Sequence, residues 1–154
     1  MALENCCCIS DVEKMLQATV RNGGMNLFAV DGKNNTYAVY ECTCRGYVKR
    51  QTSKAFITGT NHYTATMAPK GAKNGDPTSV SRQKRMEELL AAHGIEDPYR
   101  DYIRILSDPK VEQDLGDSGT VYANLACPSK DLYYYACNGF PAASKAAFEE
   151  VVLP

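Results

Sequence analysis

The chain has 154 residues, 44% of them hydrophobic and 23% charged, with a formal net charge of −1. This ordinary globular composition suffices for one domain with a modest core. The near-neutral balance, without a basic stripe on any helix face, argues against a nucleic-acid partner. No run approaches the ~18 apolar residues that would span a bilayer.

The opening Met1-Ala2-Leu3-Glu4-Asn5 lacks the basic start and apolar core of a secretion signal, so the expected location is the cytoplasm. Seven cysteines, Cys6, Cys7, Cys8, Cys42, Cys44, Cys127 and Cys137, make an odd count that fits poorly with a complete disulfide framework. None forms a C-x-x-C pair, and His62 and His93 are the only histidines. Zinc-site spacing is therefore missing, and the cysteines read as free thiols used as small apolar side chains.

In chain order, Ser10-Asp11-Val12-Glu13 has the form of a capping box. It predicts a helix from Asp11 to Arg21, with Val12, Met15 and Leu16 at helical spacing and Asn22-Gly23-Gly24 as its stop. Met25 to Asp31, a Gly32-Lys33-Asn34-Asn35 turn and Thr36 to Thr43 predict a hairpin. Tyr47 to Arg50 and Ser53 to Thr58 predict two further short strands, so that Met25 to Thr60 is an antiparallel meander. Ala65 to Thr78 reads as loop.

A helix capped by Ser79 or Ser81 follows, with Met86, Leu89, Leu90 and His93 on its apolar face. Asp97-Pro98 opens a second helix with Tyr99, Tyr102, Ile103 and Leu106 on its apolar side. Gly119 to Cys127 and Leu132 to Cys137 predict a second strand pair around Pro128-Ser129-Lys130-Asp131. A helix is expected over Ala142 to Glu150, and an extended end at Val151 to Leu153. Strands in runs joined by turns predict an α+β domain, an antiparallel sheet layered with helices, over residues 1–154 as a single domain.

The most informative stretch is Ile57-Thr58-Gly59-Thr60-Asn61-His62-Tyr63, followed by Ser79-Val80-Ser81-Arg82. An amide held at a strand end can aim a donor at an oxyanion, and a nearby guanidinium adds fixed positive charge. Together they are half of an acyl-transfer site. Asn61 also has an ordinary explanation, a strand-end residue bonding its own backbone.

The other half, an activated nucleophile, is missing. A thiolate needs a nearby base or positive charge, and Glu4 and Asp11, the charges near Cys6, Cys7 and Cys8, have the wrong sign. His62 has no evident Ser or Cys partner that would make it a catalytic base.

The same pieces carry a resemblance. Leu3-Glu4-Asn5-Cys6 leads into the first helix, then Gly23-Gly24-Met25-Asn26, Val39-Tyr40-Glu41 and Thr60-Asn61-His62-Tyr63. Ser79-Val80-Ser81-Arg82, Gly119-Thr120-Val121-Tyr122 and Gly139-Phe140-Pro141-Ala142-Ala143-Ser144 follow in that order. Over nearly its whole length the chain resembles the C-terminal part of the acyl-coenzyme A:6-aminopenicillanate acyltransferase-like hydrolases. These are relatives of choloylglycine hydrolases in the N-terminal nucleophile superfamily.

The resemblance implies half of an αββα sandwich acting on linear amides through an acyl-cysteine intermediate, the cysteine's own α-amine serving as base. It places Asn61 at the family's oxyanion-hole asparagine and Arg82 in the active-site hydrogen-bond network, with His62 and Tyr63 beside the substrate. It implies no cofactor, with acyl-coenzyme A a possible substrate, and a small amide or acyl compound as ligand. The nucleophilic cysteine would belong to an N-terminal half that is absent here. A truncated product, a separately encoded subunit and a pseudoenzyme all fit, and pairing with an N-terminal partner or self-association is expected. The alternative is a non-catalytic α+β binding or assembly module.

Overall fold

The structure is a computed structural model describing residues 2–65, 77–93 and 95–152. The chain resolves into two compact units, Met1–Val80 and Ser81–Pro154. Each contains one open, antiparallel, three-stranded sheet with helices, an α+β arrangement as expected. The expected loop over Ala65 to Thr78 lies mostly outside the described residues. Among those described, no helix is long and apolar enough to cross a membrane.

The first unit opens with α1 (Ala2–Asn5) and α2 (Ile9–Ala18). The predicted capping box does not form. Cys8, not Ser10, is the N-cap, and Asp11 reaches back to accept from Cys7 N at 3.2 Å. The helix also ends earlier than expected, at Ala18. Arg21 folds back and donates to Leu16 O and Thr19 O, satisfying end carbonyls, and to Thr43 O and Gly46 O as well. These bonds end the helix before the glycines do.

The strands β1 (Met25–Asp31), β2 (Thr36–Cys42) and β3 (Tyr47–Arg50) follow the predicted meander and pair in the order β1-β2-β3. The Asp31 carboxylate closes the hairpin turn by accepting from Asn34 N and Nδ2. Val12 and Leu16 of α2 pack on Ala38, Tyr40 and Cys42, with Leu27 and Ala29 alongside. On strand β2, Val39 and Glu41 point to the opposite face and are fully buried too. This central strand is therefore covered on both sides.

The predicted fourth strand, Ser53 to Thr58, does not form. The chain leaves β3 in bends, and Arg50 Nη2 takes Thr58 O at 3.1 Å, the carbonyl a ladder would have used.

The helix α3 (Pro77–His93) begins two residues before Ser79, so neither Ser79 nor Ser81 caps it. Its later turns belong to the second unit, where Leu89 joins Ile105 and Val111 in a core flanked by Met86, Leu90 and Ile95. The His93 side chain lies outside what the structure describes. Asp97 caps α4 (Pro98–Leu106) as predicted, accepting from Arg100 N at 3.2 Å. Its buried residue is Ile105, while Tyr99 and Tyr102 stay partly exposed. Tyr99 instead packs its ring on Tyr134, with centroids 4.7 Å apart.

The strands β4 (Ala123–Cys127) and β5 (Leu132–Ala136) pair as a hairpin, and β6 (Glu149–Glu150) adds to β5. The predicted C-terminal helix is one turn only, α5 (Ala142–Lys145). The Glu112 carboxylate anchors its start, accepting from Ala143 N at 2.6 Å and Ser144 N at 3.2 Å.

Candidate active site

Residues 58–65 of the first unit form no regular element, yet side chains from all three neighbouring strands hold them. The fully buried Glu41 carboxylate accepts from Thr64 N at 2.7 Å and Thr64 Oγ1 at 2.9 Å through one oxygen. Its other oxygen accepts from Ala65 N at 2.9 Å. Arg50 on β3 stands 3.3 Å from Glu41 and donates to Thr58 O. A single ion pair thus ties both ends of the segment. Burying two charges costs several kcal/mol per ion unless further hydrogen bonds complete them, and here the segment's own backbone supplies those bonds.

From β1, the Asn26 amide nitrogen donates to Thr60 O at 2.6 Å and to His62 O at 2.9 Å, the carbonyls on either side of Asn61. Gly24 lets the next residue close in. A Cβ there would lie 2.3 Å from the Tyr63 hydroxyl. That hydroxyl donates to Cys42 O, and burial pushes the Tyr63 phenol above its ordinary pKa.

A third set of bonds comes from the start of α3. Ser79, fully buried, shares its hydroxyl between Thr60 Oγ1 at 2.9 Å and His62 Nδ1 at 2.8 Å, and its carbonyl accepts from Thr60 Oγ1 at 2.7 Å. His62 Nδ1 also lies 3.0 Å from Thr60 Oγ1. The histidine thus has a serine partner that sequence spacing did not reveal. The pair is no nucleophile–base couple, because a serine with no exposed surface cannot meet a substrate. It is a structural knot that fixes His62.

Held on these sides, the segment presents Asn61, which is exposed, at a cavity of about 430 Å³. Asn26, Phe28, Thr60, Asn61 and Tyr63 line it together with Gly24 and Met25. The structure therefore gathers Asn61, His62 and Tyr63 in the first unit. Arg82 belongs to the second, three residues after Ser79 on α3.

Asn26, Glu41, Arg50 and Ser79 were not singled out from sequence as parts of the site. The available signal was Glu41 itself, a charged residue within a strand of otherwise apolar and aromatic residues.

The cysteines are poorly disposed for nucleophilic work. Cys42 is buried, and desolvation raises its thiol pKa. The Cys8 thiol donates to the Asp11 carboxylate at 3.3 Å. Among the described residues, no group of three or more His, Cys, Asp or Glu could hold a metal ion.

A family model described as acyl-coenzyme A:6-aminopenicillanic acid acyl-transferase matches residues 1–123. Searches of the curated proteins and of the solved structures return no match.

Proposed function

This chain belongs to the acyl-coenzyme A:6-aminopenicillanic acid acyl-transferase family, and on that premise we propose that it is the oxyanion-binding part of a cysteine-dependent linear-amide hydrolase or acyltransferase. The observation carrying this reading is that Asn61 is exposed on a segment held in place by Asn26, Glu41, Arg50 and Ser79. A fixed amide donor costs no reorganisation when negative charge appears on a substrate oxygen, which makes such donors effective.

A cysteine thiolate from outside residues 1–154 attacks the carbonyl carbon of an amide. The C=O electron pair moves to oxygen, where the Asn61 amide N–H donates to it. Collapse expels the amine, which takes up the proton that the cysteine's own α-amine removed from the thiol, and leaves an acyl-cysteine thioester. Water then releases the acid, or an amine accepts the acyl group. With acyl-coenzyme A as donor, the leaving group is the coenzyme thiol. Arg82 orients the acyl group or an acidic partner, the role its match to the family pattern suggests. His62 and Tyr63 shape the substrate side, with His62 Nδ1 and the Tyr63 hydroxyl bonded internally.

The partner that supplies the cysteine fits the edge of the first sheet. Among the described residues β1 has one strand neighbour, and Phe28 and Val30 on it are 47% and 62% exposed. Beside them runs a groove of about 550 Å³ lined by Cys6, Ile9, Val12, Leu27 and Phe28. An extended strand with apolar side chains would complete both.

The test is intact-mass spectrometry of the purified chain after incubation with an electrophilic amide analogue. Cys6, Cys7 and Cys8 should remain unmodified at stoichiometric reagent. In parallel, a phosphonate monoester, whose tetrahedral anionic oxygens stand in for the intermediate, should shift the Asn61 side-chain amide resonance. A stoichiometric adduct on one of these cysteines would place the nucleophile inside this chain. A phosphonate that leaves Asn61 unmoved would favour a non-catalytic binding module.

A further inference from the structure

We propose that Asn26 is the positioning residue for Asn61, one side-chain amide fixing the two peptide planes between which Asn61 is displayed. This rests on Asn61 being the oxyanion donor, and it adds a residue to which that reading assigned no catalytic role.

The geometry is specific to a primary amide. The carbonyls of Thr60 and His62 converge on a single nitrogen, at 2.6 and 2.9 Å. An NH₂ group carries two donors, whereas a serine or threonine hydroxyl has one. The reverse amide orientation would set Oδ1 against two carbonyl oxygens, so the assignment of nitrogen and oxygen follows from the contacts. The two bonds hold the peptide entering Asn61 and the peptide leaving His62, leaving the residue between them little freedom to turn its side chain away.

Strand propensity does not explain an asparagine at this position. Asparagine is disfavoured in strands, and residue 26 lies within β1, paired with Glu41 of β2. Its Oδ1 is buried and has no hydrogen-bond partner among the described residues. A buried acceptor left unmade is costly, and valine suits a strand better, but valine would leave the Thr60 and His62 carbonyls without this donor. What valine cannot do is hold two carbonyls.

The experiment measures backbone ¹⁵N relaxation at Asn61 in the full chain, for the native protein and for Asn26→Val, Asn26→Asp and Asn26→Ser. Native Asn61 should have an order parameter near ~0.85, falling below ~0.6 in Asn26→Val and Asn26→Asp. Asn26→Ser, with one donor left, should lie between. The melting temperature should move by no more than about 4 °C in Asn26→Val, and resonances of α2 and β2 should stay in place. Phosphonate-induced shifts at the Asn61 side chain should shrink in step with the lost order.

A rigid Asn61 in Asn26→Val would overturn the positioning role and leave the oxyanion reading standing. Loosening spread over the whole sheet, with a large fall in melting temperature, would also overturn it, since Asn26 would then be a residue of general stability. Loosening confined to 60–62 with phosphonate shifts unchanged would instead count against Asn61 as the oxyanion donor.

Discussion

Glu41 and Arg50 lie 3.3 Å apart on adjacent strands, and between them they grip both ends of the segment that carries Asn61. Glu41 has no exposed surface, so removing Arg50 strands a buried carboxylate. Arg50→Met should therefore destabilise the chain by ~3–5 kcal/mol. Combining it with Glu41→Leu should recover part of that loss, because two apolar side chains carry no desolvation cost. Urea denaturation followed by circular dichroism checks both values. Additive losses in the double variant would show that the pair is not one unit.

Asn61 is exposed, and its replacement should be nearly silent in stability, within about 0.5 kcal/mol. In the enzyme assembled with its nucleophile, Asn61→Ala should lower kcat by ~10²–10³ if it is the oxyanion donor. Equal kcat in the two proteins would remove Asn61 from the mechanism.

Gly24 and Tyr63 form a second coupled pair. Gly24→Ala places a methyl group 2.3 Å from the Tyr63 hydroxyl and breaks its bond to Cys42 O. Tyr63→Phe alone should cost about 1 kcal/mol, the usual net worth of one such bond. Gly24→Ala should cost less in the Tyr63→Phe background than in the native one. A double-mutant cycle from chemical denaturation gives the coupling, and a coupling of zero would show that the two do not compete for space.

Arg85 donates to Asp108 at 2.7 Å and holds the Asp108 carboxyl below its ordinary pKa. A carboxylate with a depressed folded-state pKa stabilises the fold above its unfolded pKa of about 3.9 and loses that contribution as pH falls through the folded value. The native protein should accordingly melt above Asp108→Asn at pH 7, with the gap narrowing below about pH 4. Paired thermal melts across this range test the trend. A gap independent of pH would assign the effect of Asp108→Asn to shape and not to charge.

Much of the fold is legible in local sequence. Alternation in Thr36 to Cys42, the turn chemistry of Asp31 to Asn35 and the Asp97-Pro98 start signal each act within a few residues, and each element appears where its pattern predicts. Three of the misses share one cause. Ser53 to Thr58 has strand-like composition, but Arg50 takes the carbonyl at Thr58 and no ladder forms. Ser79 has the composition of a cap, but the buried network with Thr60 and His62 occupies its hydroxyl. The first helix stops at Ala18 because Arg21 returns to its end carbonyls. In each case a side chain competes for a backbone or hydroxyl group that local propensity had assigned elsewhere.

The sequence by itself determined the antiparallel α+β character and the family, and it made Asn61 a candidate. These depend on periodicity and on ordered short motifs, which are one-dimensional information. Only the tertiary structure decided what holds the segment that carries Asn61. Asn26, Glu41, Arg50 and Ser79 stand 35, 20, 11 and 18 positions away along the chain. They meet around residues 58–65 because β-pairing and the start of α3 bring them there. A buried hydrogen bond requires exact proximity of its two partners, and no local pattern along the chain records a proximity that only folding creates.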